Sequence, residues 1–114
     1  MIRRDALGSG WQKFIDDLRD TGGQIAAEEL KDLVAGAKGD SEAFIKRQGE
    51  KLELYLDQLA AGAITKAQFE GYVLDIQDLT EMQSLKMSVS ARARARNFAK
   101  GITTLVINGL LTLI

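Results

Sequence analysis

Cysteine, histidine and proline are all missing from this chain of 114 residues. Without cysteine there is no disulfide framework and no thiolate nucleophile. Without cysteine and histidine together, the usual zinc sites are excluded. The missing histidine also removes the commonest general base near neutral pH. The lack of proline, with few β-branched runs before residue 102, favours helix throughout. A chain free of cysteine fits a reducing, cytoplasmic setting. A secretory signal is not expected either: Arg3 and Arg4 are followed by Asp5, Gly8 and Gly10, where an apolar region would have to stand.

Apolar residues make up 46% of the chain and charged ones 27%, with aromatics at only 6%. This length allows one domain with a modest core, which a partner subunit would enlarge. The formal net charge is −1, but the charge is unevenly spread. From Ala91 onward there are four basic residues (Arg92, Arg94, Arg96, Lys100) and no acid, leaving eleven basic and sixteen acidic residues before them. A chain polarised in this way suits head-to-tail contacts or an anionic surface at its basic end.

Apolar residues recur at helical spacing. After a polar arm over 1–8, Ser9 with Gln12 reads as a capping box ahead of the stripe Trp11, Phe14, Ile15 and Leu18. Gly22 and Gly23 interrupt, and Thr21 with Gln24 offers a second box before Ile25, Leu30, Leu33, Val34 and Ala37, a face that ends at Gly36 and Gly39. Asp40 or Ser41 is expected to cap the next helix. Its buried side is Phe44, Ile45, Leu52, Tyr55, Leu56 and Leu59, and it stops at Ala61-Gly62. Thr65 and Gln68 form the clearest capping box. The helix they open carries Phe69, Tyr72, Val73, Ile76, Leu79, Met82, Leu85 and Val89, close to a 3.5-residue repeat. No Gly or Pro punctuates it between Gly71 and Gly101, so a single amphipathic helix is expected over 65–96. Continued into the tail it would be ~70 Å long, more than a domain of this size can span. It must therefore break near Asn97–Gly101 or project against copies of itself.

The tail over 97–114 carries no charge after Lys100. Phe98, Ile102, Leu105, Val106, Leu110 and Leu113 cover one broad side, and Thr104, Asn108 and Thr112 form a narrow polar seam at i, i+4, i+8. Such a helix has to be buried in its own fold, in sister subunits or in lipid. Fourteen uncharged residues reach only ~21 Å, against ~30 Å for a bilayer core. Burial in protein is thus favoured over insertion. In an inserted oligomer, the seam would line a narrow lumen.

Three further patterns have plain explanations. Asp57 to Phe69 has the outline of a calcium loop, but its third and fifth positions are Leu59 and Ala61, which offer no ligand oxygen. A capped helical corner is the better reading. Arg92, Arg94 and Arg96 alternate with alanine. On a helix Arg92 and Arg96 share a face that Arg94 does not, no aromatics interleave for stacking, and the rest of the chain is acidic, so nucleic acid is disfavoured. These cations are expected to meet acids of neighbouring subunits (Glu70, Asp75, Asp78, Glu81) or lipid phosphates. Ala91, Ala95 and Ala99 at i, i+4, i+8 form a small-residue ridge that permits close helix packing.

The sequence therefore predicts an all-α domain: N-terminal antiparallel helices over 9–64, a long amphipathic helix over 65–96 and the apolar tail helix over 97–114, held in a helical oligomer. The leading functional expectation is a non-enzymatic, self-assembling structural subunit, cytoplasmic or bound in an assembly. It would associate through Phe69, Val73, Ile76, Leu79, Met82, Leu85, Val89, Ala91, Ala95 and Ala99, and would bury its tail between copies. A phage-tail-like or secretion machine would be compatible. The alternative is a membrane-active protein whose tail inserts as an oligomer. No cofactor, metal site or nucleophile–base pair is readable.

Overall fold

The computed structural model describes residues 10–20 and 26–114. The arm, the Ser9 and Thr21 caps, the glycine pair and Ile25 lie outside them. All regular structure among the described residues is helical, as expected.

Helix α1 (Gly10–Asp20) buries Trp11 and Ile15 and half-buries Phe14 and Leu18, the stripe read from the sequence. Its first turn is tied down from a distance. The Trp11 N–H donates to Asp57 Oδ1 (3.2 Å) and the Trp11 indole to Glu53 Oε2 (3.1 Å). Helix α2 (Ala27–Lys38) buries Ala27, Leu30, Val34 and Ala37, runs through Gly36 and is capped at Gly39. Helix α3 (Ala43–Ala60) is capped not by Asp40 or Ser41 but by Glu42, with its side chain accepting from the Phe44 N–H. Asp40 acts two residues earlier, accepting from the Glu42 N–H at 2.8 Å. The helix ends at Ala61, followed by Gly62 at φ +75. Helix α4 (Lys66–Ser84) opens with both hydrogen bonds of the Thr65–Gln68 box, 3.0 and 2.9 Å.

The single helix expected over 65–96 is two helices. The chain reverses at Leu85–Ser88, and α5 (Val89–Gly101) returns along α4. Ser88 adopts extended backbone and its hydroxyl accepts from the Ala91 N–H. Arg92 closes the other side of the corner, donating to the carbonyls of Ser84 (3.2 Å) and Met87 (3.3 Å). The Ser84 carbonyl lies at the end of α4, where intrahelical donors run out, and the Met87 carbonyl lies in the corner beyond it, so a cation is well placed there. The longest dimension of the molecule is 40 Å, too short for the ~70 Å rod.

No break occurs at Asn97–Gly101. Instead α5 widens into a π-helical stretch (Ile102–Leu110) and closes in a last turn (Leu111–Leu113). The Leu111 N–H reaches Val106 O, five residues back. At the transition, Ala99 O accepts from both the Gln77 amide and the Thr103 hydroxyl at 3.4 Å. Side chains inserted into the carbonyl ladder are a known cause of such departures from α geometry.

Consecutive helices pack side by side from α2 to α5, and α5 meets α2 again, which closes a four-helix ring with α1 laid on α3 and α2. Two glycines set the closest approaches. A Cβ on Gly49 would lie 2.6 Å from Ala37 Cβ and 2.9 Å from Lys38 N, and a Cβ on Gly101 would meet Leu33 Cδ1 at 2.6 Å.

Gly49→Ala is expected to cost ~1–3 kcal/mol through overpacking against backbone. Gly71→Ala, in the same chain but with nothing within 4 Å of its Cβ, should gain ~0.5–1 kcal/mol from helix propensity. Urea unfolding of the two variants checks the opposite signs. Gln48 is buried and its Oε1 has no hydrogen-bond partner. Gln48→Met should therefore stabilise by ~1 kcal/mol, read as a raised melting temperature.

Candidate interaction surface

The residues expected to join copies divide into two groups. Phe69, Val73 and Ile76 face the chain's own core, as do Ala95 and Ala99, with Ala91 also buried. The small-residue ridge is thus used inside the molecule, where it lets α5 lie close to its neighbours. The rest of the stripe stays outside: Leu79 is 41% exposed, Met82 61%, Leu85 65% and Val89 80%. Met82, Leu85 and Val89 flank the α4–α5 reversal, so the corner is an apolar knob.

The tail also turns inward. Phe98, Ile102, Val106 and Leu110 are buried in the single chain, Leu105 packs partly against the same core, and Leu113 is partly exposed. Of the three hosts open to the tail, the structure supplies its own fold. The seam of Thr104, Asn108 and Thr112 faces outward. The Thr112 hydroxyl lies within hydrogen-bond reach of the carbonyls of Asn108 and Gly109. Among the described residues no helix is long and apolar enough to cross a membrane, and no cluster of three or more metal-type ligands occurs. Asp57 caps α1 from α3. Burial pushes its carboxyl up, and the Trp11 N–H it accepts works against that.

The basic residues have separate roles. Arg92 caps α4. Arg94, on the opposite flank, does not wait for a neighbouring subunit. It pairs bidentately with Asp40 (2.9 and 3.1 Å), whose side chain is only 8% exposed, and touches the Ser90 hydroxyl. Arg96 and Lys100 are exposed and make no ion pair among the described residues. They line a groove of about 580 Å3 with Thr103 and Thr104 on the tail side and Gln77, Glu81 and Ser84 on α4. The Gln77 amide donates to the Thr103 hydroxyl and bridges the groove floor. Glu70, Asp75, Asp78 and Glu81 stand exposed on α4, also without an ion pair among the described residues. One hairpin therefore presents an apolar knob, unpaired acids on α4 and unpaired bases on α5.

Sequence reasoning missed the Ser88 cap and the Asp40–Arg94 pair. Ser88 was readable as an N-cap type of residue. The pair joins positions 54 apart, and no local signal announces it.

Comparison with known proteins found no family model, no curated protein and no solved structure that matches this chain.

Hydrogen bonds from Arg94 hold the Asp40 carboxyl below its ordinary range, against the opposing effect of burial. An unfolded aspartate ionises near ~3.9, so the pair's contribution is complete above about pH 4 and is lost as pH falls through the lower folded value. Arg94→Gln should unfold at lower urea than the parent at pH 7, and the gap should narrow steadily below about pH 4. A gap that stays constant with pH would mean that the pair acts through shape and not charge.

Proposed function

We propose that this protein is a non-enzymatic structural subunit that self-associates through the α4–α5 hairpin. The observation that carries the reading is the apolar knob of Met82, Leu85 and Val89, three large side chains mostly in water at one corner. Single exposed apolar residues are ordinary, but a cluster marks a contact surface. A second copy is the partner whose charge suits the flanks. In a two-fold contact, Asp75, Asp78 and Glu81 of one α4 would run beside Arg96 and Lys100 of the other α5, and the same pairing would repeat across the axis. The apolar tail has no part in this contact. Its insertion into a bilayer would require Phe98, Ile102, Val106 and Leu110 to leave the core, at ~1.5–3 kcal/mol for each large side chain. A place in a larger assembly follows from the same surface if the contact extends beyond two copies.

Sedimentation equilibrium provides the test. The parent chain should run above monomer mass. Leu85→Glu with Val89→Glu should run as a monomer with an unchanged far-UV helix signal, because both side chains are exposed in the single chain. Arg96→Gln with Lys100→Gln should weaken association mainly at low salt. A parent that stays monomeric at all concentrations would end the proposal.

A further inference from the structure

A second feature lies on the other flank of α5, and it does not depend on self-association. Helix α5 is clamped at two points, to α2 and to the α2–α3 connection, with an opening between them. At one end Leu33 packs so tightly on Gly101 that a Cβ there would sit 2.6 Å from Leu33 Cδ1. At the other end Asp40 and Arg94 form their bidentate pair. Between the clamps is a pocket of about 280 Å3, floored by Leu33, Ala37, Ile45 and Phe98. Gly36 is an exposed residue at its edge with nothing within 4 Å of a built Cβ, so a larger side chain there would start in open space at the pocket mouth.

The polar groups around this floor differ in how far they are committed. Asp40 is saturated by Arg94 and the Glu42 N–H, and Arg94 is in turn engaged by Asp40 and Ser90. Asp32 and Asn97, which also line the pocket, have no side-chain hydrogen bond or ion pair among the described residues. The paired charges cancel, which leaves Asp32 as the net charge of the site. An apolar floor with one free carboxylate and one free amide at its rim has the makeup of a small-ligand site.

We infer that the α2–α5 pocket binds a small amphipathic amine, with its apolar part on Phe98, Ile45 and Leu33. Its ammonium donates to the Asp32 carboxylate and to the Asn97 side-chain carbonyl. Carboxylate ligands are disfavoured, because their charge would face Asp32 while Arg94 is already occupied.

Amide chemical-shift titration with hexylammonium, 1-hexanol and hexanoate tests this on the full chain. Hexylammonium should shift the amides of Gly36, Ala37, Asn97 and Phe98, with a dissociation constant at or below the millimolar range and about fivefold or more tighter than hexanol. Hexanoate should bind weakest. Asp32→Asn should erase the preference for the amine while leaving hexanol unchanged. Gly36→Leu should block all three probes without loss of helix signal, since leucine is the better helix former. Three probes of equal affinity, shifts scattered away from α2 and α5, binding that survives Gly36→Leu, or no shift at about 20 mM probe would each overturn the inference. None of these outcomes depends on whether the chain is monomeric.

Discussion

Ser88 and Arg92 make the contact on which the rest of this molecule depends. Ser88 ends the turn by accepting from the Ala91 N–H, and Arg92 reaches back to the Ser84 carbonyl at the end of α4 and the Met87 carbonyl in the corner. Each bond alone is modest, of the order of ~1 kcal/mol. Together they direct α5 back along α4 instead of outward. With α5 lying there, Phe98, Ile102, Val106 and Leu110 fill a core that three N-terminal helices would leave open. The corner decides whether the apolar tail is a hazard or a keystone, because an unburied segment of that kind would seek another surface.

Polar ties then fix the angles of the remaining helices. Glu53 on α3 accepts from the Trp11 indole on α1 and from Lys38 on α2 (2.6 Å), so one carboxylate indexes three helices. Lys31 on α2 reaches Asp16 on α1 at 2.9 Å. Asp40 and Arg94 complete the set by joining the α2–α3 connection to α5. None of these ties is deep in the core. Apolar packing supplies the bulk of the stability, and the charged pairs select one arrangement among those that packing would tolerate.

Much of this was legible from the residues. The Trp11–Leu18 stripe, the α3 face and the Thr65–Gln68 box appear where their spacing puts them, because each is a local pattern. The α4–α5 corner was not legible. It contains neither glycine nor proline, and Leu85 and Val89 continue the apolar spacing straight through it. The 3.5-residue repeat led to a seam between copies for a related reason. Periodicity tells which face of a helix is covered, but not what covers it. For Phe69, Val73 and Ile76 the cover is the chain's own core, and for Leu85 and Val89 there is none. Arg94 illustrates the same limit for charge. The acids its local pattern points to lie on α4, whereas the acid it pairs with is on the α2–α3 connection.

The widened end of α5 has a consequence for register. Ile102, Val106 and Leu110 are buried at intervals of four, and Thr104, Asn108 and Thr112 are exposed at the same interval. On an α-helix a row with that spacing drifts about 40° per step, so Leu110 would stand ~80° round from Ile102. The broader π-helical turns reduce that drift and keep both rows straight. The backbone thus works as a vernier. It matches a four-residue repeat in the side chains to the neighbouring helices α2 and α4, and the reach of the last helix is set by its hydrogen-bond ladder as much as by its choice of residues.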